Sequence, residues 1–171
     1  MWPILTKVRL WPDEVGQYGA VRKFDIHTGV DLYCEEDTPV IALETGTIVA
    51  IEDYTGSKAE SPWWNDTQAL LVESDSGVIC YGEIEIHKHL KVGDTVSKGS
   101  VIGVVKRVLK KDKGRPTTML HFELYTHGTT ESVIWYLDKP KPENLLDPTD
   151  LLLGENGMLG VIQFSMDNYR K

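Results

Sequence analysis

The sequence predicts a compact, mostly β protein built from antiparallel strands. Short apolar stretches recur at regular spacing between glycine-, proline- and serine-containing turns. Two pairs of those stretches are separated by turns short enough for hairpins. Helical periodicity is almost absent, which leaves an antiparallel sheet as the architecture.

Taken in order, residues 1–26 hold Trp2, Pro3, Trp11, Pro12, Gly16 and Gly19 and predict a lead-in loop wrapped over one side of the sheet. Val40–Leu43, Glu44-Thr45-Gly46 and Thr47–Ile51 read as strand, tight turn, strand. Tyr54 to Asp66 is a polar loop whose paired tryptophans, Trp63 and Trp64, either line a groove or pack beneath the loop. Ala69–Glu73 and Val78–Tyr81 flank Ser74-Asp75-Ser76-Gly77 as a second hairpin. Val92-Gly93-Asp94 and Ser97-Lys98-Gly99 bracket short strands that lead into Val101–Val105. The basic run Lys106, Arg107, Lys110, Lys111 and Lys113 reads as a solvated hairpin flank, and Gly114-Arg115-Pro116 turns the chain.

Met119–Tyr125 then alternates, with Leu120, Phe122 and Leu124 directed to a core and Met119, His121, Glu123 and Tyr125 to the opposite, polar face. Thr126–Ser132 forms a loop, Lys139-Pro140-Lys141-Pro142 a rigid connection, and Thr149–Leu153 a short capped helix. Gly157–Lys171 has no clear period, so an edge strand, a partner contact and disorder all stay open. No internal repeat appears, and one domain accounts for the 171 residues.

Composition excludes several classes of partner. A formal charge of −8 disfavours nucleic acid and anionic membrane surfaces, both of which attract basic patches. No segment approaches the ~18 apolar residues of a membrane span. The opening residues lack a charged leader followed by an apolar run, which gives the expectation of a cytoplasmic location, or an exported one if the start has been trimmed. Cys34 and Cys80, in apolar surroundings, are expected as buried free thiols. Oligomeric state is not legible.

His27-Thr28-Gly29-Val30-Asp31 places a histidine and a carboxylate four residues apart, on one face of a strand or turn. Zinc takes imidazole nitrogens and carboxylate oxygens, three from the protein where it is catalytic. His121, on the polar face of its strand with Glu123 two residues on, supplies a third candidate ligand.

These motifs resemble the M23 (LytM/lysostaphin-type) zinc metallopeptidases. The likeness runs through His27–Asp31, Thr38-Pro39-Val40, Gly46–Val49, Tyr81-Gly82, Val92–Val96 with Gly99, Ile102-Gly103 and Leu120-His121-Phe122-Glu123, with a family-like tail at Asp147-Pro148. It implies an M23-type fold (barrel-sandwich hybrid, lipoyl-like) over residues 27–153, after a lead-in of 1–26 and before a C-terminal tail of 154–171. It also implies zinc held by His27, Asp31 and His121, and a peptide or peptidoglycan-like substrate. Two positions depart from the family's usual pattern: Glu83 stands where Tyr-x-His is expected, and Met119 where His-Leu-His-Phe-Glu begins.

Two functions follow from the resemblance. In the first, the protein is a zinc peptidase for cell-wall-type or glycine-rich peptides, with Glu83 as general base. Stabilising the oxyanion would then fall to zinc alone, or to a side chain such as His87, His89 or His127, since Met119 has no hydrogen to give. In the second it is a catalytically silent M23-fold binding or scaffold module with a structural zinc, which Glu83 approaches as a fourth ligand or by bonding a ligand histidine. The glycine frame around Val92–Gly103 also resembles half of a biotinyl or lipoyl carrier domain, a distant third, because no lysine is presented at the Glu44-Thr45-Gly46 turn.

Overall fold

Alternating side chains along the long strands divide the apolar residues between two faces of one sheet. The computed structural model describes residues 1–111, 118–154 and 161–163. Its strands are β1 (Leu10–Trp11), β2 (Asp25–Ile26), β3 (Val30–Tyr33), β4 (Pro39–Ile41), β5 (Gly46–Thr55), β6 (Thr67–Ser74), β7 (Gly77–Ile86), β8 (Thr95–Val96), β9 (Val101–Val105), β10 (Met119–Tyr125), β11 (Trp135–Tyr136), β12 (Leu145–Leu146) and β13 (Ile162–Gln163). One short helix, α1 (Thr149–Leu153), and two 3-10 turns complete the described elements. The mostly β, antiparallel architecture agrees with the sequence reading.

Nine of these strands form one sheet with the path β12-β10-β7-β6-β5-β8, while β3 joins β10, and β9 joins both β4 and β7. Leu70, Val72, Ile79, Tyr81, Leu120 and Phe122 point into the main core, where Trp2, Ile4 and Trp11 of the lead-in segment also pack. Their sequence neighbours Ala69, Leu71, Val78, Cys80 and Tyr125 build a second, smaller cluster with Leu145. The central strands are therefore covered on both sides. Burial of this kind stabilises by roughly 25 cal/mol per Å² of apolar surface, so the long strands β6, β7 and β10 anchor the fold.

Three expectations need correction. The stretches Val40–Leu43 and Thr47–Ile51 do not form a hairpin with each other: β4 pairs with β9, and β5 with β6 and β8. Alternation identifies a strand without naming its partner. The second face of β10 is not a half-exposed polar surface either, since His121, Glu123 and Tyr125 are all buried. The lead-in segment is more than a covering loop, because β1 and β2 pair with β13 and β11 respectively. The hairpin of β6 and β7, with Ser74 opposite Gly77, and the helix Thr149–Leu153 appear where the sequence places them. Both cysteines are buried and free. The Gly114-Arg115-Pro116 turn, Lys113 of the basic run and most of the 157–171 segment lie outside the described residues.

Candidate metal and active site

Antiparallel pairing of β3 with β10 sets Asp31 opposite His121. The two strands approach closely because residue 29 is glycine: a Cβ there would stand 2.4 Å from the Phe122 carbonyl oxygen. His27, from the turn between β2 and β3, completes a buried triangle. Its Nε2 lies 3.1 Å from Asp31 Oδ1 and 3.1 Å from His121 Nδ1, and His121 Nδ1 lies 2.9 Å from Asp31 Oδ1. Among the described residues no other three His, Cys, Asp or Glu side chains converge in this way.

The outer nitrogens of both imidazoles are engaged elsewhere, which sets their tautomers. His27 Nδ1 donates to the Gln17 carbonyl at 2.9 Å, and His121 Nε2 donates to Glu123 Oε1 at 2.9 Å. Unprotonated, the inner nitrogens turn lone pairs toward the Asp31 carboxylate, whereas a protonated His121 donates from Nδ1 to Asp31 as well. Three electron-rich atoms at this separation repel one another unless a cation or a proton lies among them. Tetrahedral zinc with bonds of ~2.0–2.1 Å holds its donors ~3.3 Å apart, so donor chemistry and spacing both suit that ion.

Glu123 is wholly buried and well satisfied. Thr28 Oγ1 donates to its Oε1 at 2.5 Å, Tyr54 OH to the same oxygen at 3.3 Å, and Tyr125 OH to Oε2 at 2.7 Å. Burial alone would raise this carboxyl, but the His121 imidazole and then the hydroxyls bring it down to about 2. Burial alone would lower His121; its hydrogen bonds to Asp31 and Glu123 instead raise it to about 10. Asp31, which burial would raise, is held well below the usual carboxylate range by His27 and His121. Its other oxygen accepts from Arg22 Nη2 at 3.0 Å.

Two irregularities in the sheet aim further side chains at the same place. Along β7 the pairing passes from β10, up to Gly82, to β9, from Ile84 onward. Against β6 the register slips over the same stretch, with Leu70 opposite Tyr81 but Gln68 opposite Ile84. Glu83 lies in that bulge with φ +63°. Such a residue leaves the alternation of its strand, and bulges of this kind recur beside functional sites. A second slip, between Asp53 and Thr55, frees Tyr54 from the ladder, and its ring stands 5.8 Å from that of His121.

A cavity of about 560 Å³ opens beside the triangle, with Arg22, His27, Tyr54, Trp64, Glu83 and His121 in its walls. Glu83 Oε2 is shielded from solvent and has no hydrogen-bond partner among the described residues. Burial, and then the Asp31 carboxylate, push the Glu83 carboxyl up to about 8. Glu83 does not join the ligand triangle.

The remaining sequence candidates separate. His87 and His89 stack on each other at 5.6 Å and do not line the cavity. His127 is directed to Glu73 Oε1 and the Asp75 carbonyl, again outside it. Met119 packs against Leu10 and Tyr33. Trp63 and Trp64 meet edge to face on the surface rather than beneath their loop, and Trp64 reaches the cavity wall. Arg22, Tyr54 and Thr28 were not legible as site residues, because no periodicity or spacing connects them to His121.

The sequence model of peptidase family M23 matches residues 25–132, well over half of the chain. The chain belongs to peptidase family M23. Among curated proteins no sequence matches it. Solved M23-type structures resemble the fold. LytU is 18% identical with a TM-score of 0.55, covering 96% of this chain and 94% of its own. A variant catalytic domain of the prophage-encoded M23 protein EnpA from Enterococcus faecalis is 19% identical with a TM-score of 0.53, covering 82% and 98%. The catalytic domain of the antimicrobial peptidase lysostaphin from Staphylococcus simulans is 21% identical with a TM-score of 0.52, covering 81% and 90%. At these identities the likeness speaks for the M23 fold. No helix among the described residues is long and apolar enough to cross a membrane.

Proposed function

We propose that this M23 protein is a zinc-dependent hydrolase of peptide bonds in cell-wall-type or glycine-rich peptides. The observation that supports this reading most directly is the His27–Asp31–His121 triangle opening onto a cavity walled by Glu83. His27 Nε2, Asp31 Oδ1 and His121 Nδ1 would hold the ion. Zinc, when bound, supplies Lewis acidity that lowers the pKa of a water to near ~7 and polarises a carbonyl.

The chain's own groups do the remaining work. Gln17 and Glu123 hold the two imidazoles in the ligating tautomer. Glu83 serves as the proton carrier. Its carboxylate takes the proton of the attacking water, and the resulting acid delivers it to the amine nitrogen as the C–N bond breaks. A cation at the triangle lowers the carboxyl from about 8 toward the operating pH, because an adjacent positive charge favours the ionised form. The Trp64 and Tyr54 side gives the peptide an aromatic wall.

The test is zinc-loaded protein on glycine- and D-alanine-containing peptides, with Glu83→Gln and His121→Ala beside it. Turnover that depends on zinc and drops by about 10²-fold or more in Glu83→Gln supports the reading. A protein that takes up one zinc, melts lower on chelation and cuts no peptide is instead a silent M23-fold module. That second reading is favoured by the packing of Met119 into the Leu10–Tyr33 cluster, which leaves no donor on that strand position.

A further inference from the structure

Arg22 sits in the lead-in segment, with no motif to announce it, yet its guanidinium reaches the site. Nη2 donates to Asp31 Oδ2 at 3.0 Å and to the Val15 carbonyl at 3.2 Å. Nε is shielded from solvent and has no partner among the described residues, while the side chain forms part of the cavity wall. The side chain as a whole keeps 36% of its surface exposed, so an N–H on its open side meets an acceptor held in the cavity. The acceptor's position is informative. A guanidinium carries its donors in one rigid plane, so anchoring Nη2 on the candidate ligand Asp31 fixes where the remaining N–H groups point.

We propose that Arg22 is the oxyanion donor of this site. It gives a hydrogen bond to the carbonyl oxygen of the scissile peptide as negative charge develops there, a task that Met119 has no hydrogen to perform. The assignment rests on the hydrolase reading above and names the residue that binds its transition state. Neutral peptide oxygen accepts this bond weakly and the charged tetrahedral oxygen accepts it strongly, so Arg22 discriminates between the two. A residue that only oriented Asp31 would affect the ion and leave that discrimination alone.

Calorimetry on the zinc-saturated protein separates these roles, with two probes. One is a glycine tetrapeptide and the other is its phosphinate analogue, whose phosphorus imitates the tetrahedral carbon and whose charged oxygens imitate the oxyanion. In Arg22→Gln the phosphinate is expected to lose about 10²-fold or more in affinity, with the parent peptide unchanged within a few-fold and Arg22→Lys restoring part of the loss. Equal losses for both probes, or no loss in either, overturn the assignment while leaving the hydrolase reading intact. Wild-type protein that takes up zinc but binds neither probe overturns the hydrolase reading and the assignment together.

Discussion

Each nitrogen of His121 meets a carboxylate, Asp31 at Nδ1 and Glu123 at Nε2, and in the metal-free protein a proton does the work a cation would do. That contact gives the pH dependence a definite sign. With His121 raised from 6.5 to about 10, its stabilising contribution is complete below pH 6.5 and disappears as pH climbs through about 10. Glu83, raised from 4.5 to about 8, acts in the same direction, since its ionisation in the folded state is resisted. The melting temperature of metal-free protein is therefore expected to fall between about pH 6 and pH 10, as calorimetry across that range would show. Zinc held at the triangle would displace the His121 proton and draw Glu83 toward its ionised form, so titration at neutral pH in buffers of different ionisation enthalpy is expected to report ~1–2 protons released per ion. Glu123→Gln should weaken zinc binding about 10–100-fold. Burial pushes the Cys34 thiol up to about 12 and raises Cys80 as well. Neither thiol is expected to react with a thiol-specific dye until the protein unfolds.

At the scale of elements, the site depends on one close approach and two bulges. Gly29 lets β3 lie against β10, so Gly29→Ala would force a Cβ into the Phe122 carbonyl and part Asp31 from His121. Overpacking of this kind costs about 1–3 kcal/mol, and loss of zinc affinity should accompany the lowered denaturation midpoint. Glu83 presents the opposite case. Its left-handed backbone stores strain of about 1–3 kcal/mol that glycine would not carry, and its buried carboxyl lacks a hydrogen-bond partner among the described residues. Glu83→Gly is expected to raise the unfolding free energy by ~1 kcal/mol while abolishing turnover. Neither bulge can be seen in the sequence. The strand predicted over Val78–Tyr81 continues to Ile86, and only the partner change from β10 to β9 reveals the extra residue. The Val40–Ile51 stretch was misread for a related reason. Strand pattern is local, whereas the choice of β9 and β6 as partners is made by packing across the sheet.

Across the whole molecule the triangle ties segments that are far apart in sequence, since His27 and His121 stand 94 residues from each other. An ion bound only by the folded state stabilises it by RT ln(1 + [L]/Kd), about 4 kcal/mol at a thousandfold excess over Kd. Chelation is thus expected to lower the melting temperature of zinc-loaded protein by several degrees, and His27→Ala should remove that difference. His27, Asp31 and His121 were named together as ligands through the resemblance to the M23 family, while residue order alone made legible the β class, the β6–β7 hairpin and the buried thiols. Those features follow from period-2 alternation, short turns and local spacing, which neighbouring residues dictate. The convergence of the three side chains, the aim of Glu83 and Tyr54, and the arrival of Arg22 at Asp31 belonged to the tertiary structure. They arise from register, bulges and contacts between distant strands, and free energies of that kind exist only once the sheet has closed on its core.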